Sequence, residues 1–166
     1  EDRLRVYRSF RFTASHGHQR FDTAGLAAAT RAAGTLSELS AERVGAEMRR
    51  MLELPRVATT LATMVGAGVL DLPPALIDQL QAYEERDPAP GFAGRLALMM
   101  ADGNGAGLKD RCRLSNGEAA SAERGRRSAR RLADSNFDEA AYRFPGEAGE
   151  AVHVAAALAV LDQTRL

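Results

Sequence analysis

Asp2-Arg3-Leu4-Arg5-Val6-Tyr7-Arg8-Ser9-Phe10-Arg11-Phe12-Thr13-Ala14-Ser15 interleaves two series. Leu4, Tyr7, Phe10 and Ala14 recur at steps of three or four, and Asp2, Arg5, Arg8 and Arg11 recur at steps of three. Successive residues advance about 100° around a helix. The apolar series therefore gathers on one side, and the charged row takes the neighbouring side and winds slowly. One face packs and the other is left to bind. A half-buried strand would alternate residue by residue, and no segment of this chain does so.

The rest of the chain repeats the helical period. Ser15-His16-Gly17-His18 ends the first helix, with Gly17 expected to take the left-handed conformation at its C-cap. Asp22 or Thr23 caps a helix to about Ala33, which Gly34 stops. Ser40 is an N-cap candidate for a third helix, with Glu42 in its first turn, Arg49 and Arg50 in its last, and Val44, Met48, Met51 and Leu52 as its buried side. Another helix spans Arg56 to Val65, before the turn Gly66-Ala67-Gly68. Asp71-Leu72-Pro73-Pro74 starts a helix to about Glu85, Asp87 to Gly91 is a loop, and Phe92 to Met100 is a short apolar helix. Asp102 to Gly107 is a turn. Ser115 with Glu118 makes a capping box for a helix to about Ala133. A short helix from Asn136 and a last one from Glu147 to Asp162 complete an all-α chain.

Composition agrees with that class. The 166 residues are 45% hydrophobic, 27% charged and 5% aromatic, which suits soluble helices packed through alanine and aliphatic side chains. The net charge of zero conceals two basic zones, the first helix and the stretch from Lys109 to Arg131, and an acidic region around Glu139, Glu147 and Glu150. Lys109 is the only lysine, a bias that a GC-rich genome explains. Cys112 is the only cysteine, which excludes an internal disulfide and a cysteine-only metal site. No apolar run reaches the roughly 20 residues of a membrane span, and no leader pattern opens the chain, so a soluble cytoplasmic protein is expected.

An acid beside an arginine can read a base edge. Cytosine and adenine both present an exocyclic amine next to an unprotonated ring nitrogen. A carboxylate accepts from the first and a guanidinium donates to the second. Uracil and guanine offer a carbonyl and a ring N–H at those places, so both contacts turn repulsive. Asp2 with Arg5 can thus accept C and A and refuse U and G without a template.

The stretch Glu1-Asp2-Arg3-Leu4-Arg5-Val6-Tyr7-Arg8-Ser9-Phe10-Arg11-Phe12, with Ser40-Ala41-Glu42-Arg43-Val44 and Glu47, resembles the neck of bacterial tRNA nucleotidyltransferases and poly(A) polymerases. Arg113-Leu114-Ser115-Asn116 and Glu118 echo, more loosely, the body of these enzymes. The resemblance implies a helical neck over residues 1–68 and a helical RNA-binding body over residues 69–166. It implies nucleotide binding by Asp2, Arg5, Arg8 and Arg11, with Glu1 bracing the arginines and Ser40, Glu42 and Arg43 supporting the binding helix. Its partners would be CTP, ATP and the tRNA 3′ end, to which CCA is added. A poly(A) polymerase fragment and a stand-alone helical RNA-binding module are the alternatives, with a purely structural bundle behind them.

Transfer itself needs paired carboxylates holding Mg²⁺. In the family these are an Asp-x-Asp after a Gly-Ser turn, in a mixed-sheet head before the neck. Neither motif occurs here. No catalytic residue is assigned, Mg²⁺ is expected only in the head of an intact enzyme, and the chain reads as a fragment that is not catalytic alone. Arg124, Arg127, Arg130 and Arg131 share one helix face that could follow an RNA backbone, against the plainer reading of a solvated face. His16 and His18 near Asp22 are a polar helix end, since a His-x-His pair without a third ligand is weak evidence for metal. His153 reads as a packed or half-exposed histidine, and the glycines from Asp102 to Gly107 lack the spacing of a phosphate loop.

Overall fold

The computed structural model describes residues 3–18, 20–87, 89–100, 109–110, 112–134 and 152–158. It is all-α: helices account for the regular structure, and no strand occurs among the described residues. Helix α1 spans Arg5–His16, α2 Thr23–Ala33, α3 Ala41–Leu52, α4 Ala58–Gly66, α5 Pro74–Arg86 and α6 Phe92–Met99. Helix α7 spans Asn116–Ala133, and residues 152–158 are helical. A 3₁₀ turn, Leu36–Glu38, lies between α2 and α3. The sequence expectations from Asn136, for Asp102 to Gly107, and for most of the last helix lie outside the described residues, as do Glu1 and Asp2.

Local chemistry accounts for most boundaries. Asp22 Oδ1 accepts the Gly25 amide at 2.7 Å and so caps α2. Ser115 and Glu118 form the expected capping box: Ser115 Oγ accepts from the Glu118 amide at 3.2 Å, and Glu118 accepts from the Ser115 amide at 2.9 Å. Pro74 begins α5, where its missing N–H costs nothing. Two expectations about caps change. Gly17 closes α1 at φ −93° by donating to Thr13 O, and the left-handed residue is His18, at φ 49°. Ser40 occupies the N-cap of α3 but its hydroxyl makes no capping bond. Ala41, Glu42 and Arg43 are exposed, so water can satisfy the first amides of that helix.

One buried cluster runs from Leu4, Tyr7 and Phe10 of the first segment, through Met48, Met51 and Leu52 of α3, Leu61 and Met64 of α4, and Leu76 and Leu80 of α5, to Leu96 and Leu98 of α6. Helices α6 and α7 approach through small residues: a Cβ placed on Gly125 would lie 3.6 Å from that of Ala97, and Ala122 and Ala129 are fully buried. The abundance of alanine is thus a packing feature, because short side chains let helices come close.

At the centre sits a charge. Arg95 of α6 has no exposed surface, and Glu84 of α5 is nearly buried. Arg95 donates through Nε to Glu84 Oε1 at 2.9 Å, through Nη1 to Leu52 O at 2.8 Å and Pro90 O at 3.0 Å, and through Nη2 to Pro55 O at 2.8 Å. Glu84 also accepts the amides of Val57 and Ala58 at the start of α4, at 2.9 to 3.1 Å. One ion pair therefore serves the end of α3, the start of α4, and the α5–α6 loop, and its bonding leaves no desolvated charge unpaired. The neck–body boundary expected at residue 68 falls in the turn after α4, where Gly68 takes φ 71°. Bonds from Arg95 to residues 52 and 55 cross that boundary, as does a long contact from the Tyr7 hydroxyl to Val69 O at 3.5 Å.

Candidate functional site

Helix α1 packs on α3, and its polar side divides between Glu47 of that helix and a cleft shared with α2. Toward α3, Arg8 Nε donates to Glu47 Oε1 at 3.3 Å and Arg11 Nε donates to Glu47 Oε2 at 2.8 Å. Arg50, one turn along α3, adds a bond to Oε1 at 3.2 Å. The Glu47 side chain is only 2% exposed, whereas those of Arg8 and Arg11 are 43% and 20% exposed. Burial alone would raise the carboxyl pKa. The hydrogen bonds from Arg11 and Arg8, with the charges of Arg11 and Arg50, outweigh it and hold Glu47 below the ordinary carboxylate value. Glu47 is thus an anion at neutral pH that fixes two arginines of α1.

Toward α2, α1 borders an open cleft of about 220 Å³. Arg5, Ser9 and Thr13, one helical turn apart, line it from α1, and Phe10 and Phe21, with ring centroids 5.1 Å apart, add apolar surface. Asp22 also lines the cleft, with Oδ1 engaged in capping α2. A cleft lined by a guanidinium, a carboxylate and aromatic rings suits a planar polar ligand.

The arginine row expected as one surface is therefore divided. Arg8 and Arg11 turn to Glu47, and Arg5 turns to the cleft. The slow winding of a three-residue repeat causes this, because each step lags a full turn by about 60°. Among the supporting residues, Ser40, Glu42 and Arg43 are exposed, and the described tie from α3 to α1 is made by Glu47. Glu1 and Asp2, the remaining residues of the expected site, lie outside the described residues.

The second basic zone is organised differently. Arg124, Arg127, Arg130 and Arg131 are all exposed on α7. Arg127 and the half-buried Arg126 both bond to Glu123, at 2.8 Å and at 2.6 to 2.7 Å. The Arg126 bond is the largest influence on Glu123 and, with Arg127, draws its pKa down to about 2 against the opposing effect of burial. Helix α7 is joined to α3 by an Arg49–Glu118 ion pair, so both basic zones belong to one framework.

Two features of this region are not carried by local sequence pattern. Arg95 is an ion in an otherwise apolar run from Phe92 to Met100, and that contrast is its one local signal. The cleft joins residues of α1 and α2 that no periodicity connects. Phe12, which closes the Arg8 to Phe12 stretch of the resemblance, interrupts the polar side of α1. Among the described residues no group of three or more His, Cys, Asp or Glu side chains could hold a metal ion. No helix among them is long and apolar enough to cross a membrane. Comparison of the chain with protein-family models, curated proteins and solved structures finds no match.

Proposed function

We propose that this chain is the nucleotide-selecting and RNA-holding part of a tRNA nucleotidyltransferase that adds CCA to tRNA 3′ ends from CTP and ATP. The observation that carries the reading is the buried Glu47 carboxylate holding Arg8 and Arg11. Base selection by fixed side chains requires a helix that does not shift, and anchoring α1 through its arginines meets that requirement while Arg5 borders an open cleft. Asp2 and Arg5 would read the base edge. Each anchored arginine uses its Nε toward Glu47, and a guanidinium has five N–H donors, enough for a carboxylate at one edge and a phosphate at another. The exposed arginines of α7 would follow the RNA backbone. Mg²⁺ would belong to the paired carboxylates of a catalytic head, and the place of work would be the cytoplasm, where tRNA is processed.

The test is a titration of the isotopically labelled chain with each of the four ribonucleoside triphosphates, monitored by NMR. CTP and ATP should shift the resonances of α1 at lower concentration than UTP and GTP, and Arg5→Ala should erase that difference. One well-formed base contact contributes about 1–3 kcal/mol, so the preference should exceed several-fold. Equal affinity for all four nucleotides in the unaltered chain would sink the base-reading role.

A further inference from the structure

On the open side of α1 one aromatic ring breaks the polar pattern. Phe12 is 53% exposed, while Tyr7 and Phe10 of the same helix are buried. A single exposed apolar residue is ordinary, but the surroundings of this one are specific. The Arg11 guanidinium lies over the ring, 4.6 Å from its centroid. That guanidinium is itself bonded to the buried Glu47 at 2.8 Å, so the cation is held in place before any ligand arrives. The His16 ring lies 6.1 Å from Phe12, tilted by 37°. Around the helix Phe12 lies within about 60° of Arg8 and Arg5, which sit one and two turns toward the N-terminus. An exposed ring with a guanidinium held against it suits an unpaired nucleotide, whose base stacks while its phosphates meet cations of the same helix.

We propose that Phe12 is a stacking platform for one unpaired base at the 3′ end of an RNA, with Arg11 fixing the ring and Arg8 and Arg5, one and two turns away, supplying positive charge along the same side of the helix. The inference rests on the function proposed for α1 and deepens it: stacking would hold the end of the RNA whatever its base, beside the residues that choose the incoming nucleotide. Charge decides the occupant. A protein or lipid partner seeking an apolar anchor would meet a solitary ring with the Arg11 guanidinium over it, whereas a single strand supplies both a π face and negative charge.

The experiment uses the whole chain and fluorescein-labelled single-stranded oligocytidylate and oligoadenylate, with affinity read by anisotropy. Phe12 lies outside the core, so its variants should fold as the parent does. Phe12→Ala and Phe12→Leu should both weaken binding, by roughly 5- to 100-fold for the loss of one stacked base, and Phe12→Tyr should retain it. Phe12→Trp would introduce the sole tryptophan of the chain, and its emission should be quenched by either oligonucleotide. Affinity for Phe12→Leu equal to that of the parent would show that π stacking is not used and would overturn the proposal. Unchanged RNA affinity in Phe12→Ala, coupled with loss of self-association in sedimentation, would instead make the ring a contact between copies of the chain. Absence of RNA binding by the unaltered chain would overturn the platform together with the RNA-holding half of the wider reading. Nucleotide selection would still be judged separately by the triphosphate titration.

Discussion

Glu47 and Arg95 are both charged, both buried and both fully engaged, yet they answer to different surroundings. Glu47 meets three arginines that keep partial access to water. Glu47→Ala should therefore lower stability by about 1–3 kcal/mol, since the arginines can be resolvated in part, and it should loosen α1. Thermal melting gives the first effect, and hydrogen exchange along α1 relative to α4 gives the second. Arg95 has no such access. Arg95→Met would strand the Glu84 carboxylate and three carbonyl groups, and breaking a buried pair in this way costs about 3–5 kcal/mol. Against a total stability of about 5–15 kcal/mol, that loss should move the denaturant midpoint far more than Glu47→Ala does. A smaller shift for Arg95→Met would contradict the assignment of that side chain as the central tie.

At the scale of elements, helix ends and interhelical ion pairs govern order. Ser115→Ala removes the reciprocal capping box of α7, and its expected cost is about 0.5–2 kcal/mol, measurable by chemical denaturation. Acid should act on the same helix. Glu123 has a pKa of about 2 in the folded chain, against about 4.3 for a glutamate in an unfolded one. Because the folded value is the lower, this carboxylate contributes stability at any pH above about 4.3, and the contribution is lost as pH falls toward 2. Glu47, also held low, acts in the same direction between α1 and α3. A plot of melting temperature against pH should accordingly fall below about pH 4.3, and Glu123→Gln should make that fall shallower. Parallel curves for the two proteins would remove Glu123 from the account.

Across the whole molecule, the tie between Arg95, Glu84 and the ends of α3 and α4 makes the first four helices dependent on α5 and α6. A chain ending at residue 68 would lack Glu84, which accepts the amides of Val57 and Ala58, and Arg95, which donates to the carbonyl groups of Leu52 and Pro55. Such a truncated chain should have weak helical circular dichroism and no cooperative melting transition. A cooperative transition in it would show that the neck carries a sufficient core of its own. The same logic links the two basic zones, since the Arg49–Glu118 pair joins α3, which anchors α1, to α7.

The sequence alone determined the class of the fold and most helix boundaries, because a period of three to four residues, a capping box and a proline at a helix start act over neighbouring positions. It also marked Arg5, Arg8 and Arg11 as a row distinct from the packing face of α1. Only the tertiary structure decided that two of them turn to Glu47 and the third to a cleft with α2, since that division depends on which helix lies on each side. It likewise decided that Ser40 stands at a helix start without capping it, and that His18, not Gly17, takes the left-handed turn. Arg95 shows the reason most plainly. Its acceptors come from residues 5 to 43 positions away in the chain, and no local rule foretells a charge that is stable in the core only because distant carbonyl groups converge on it.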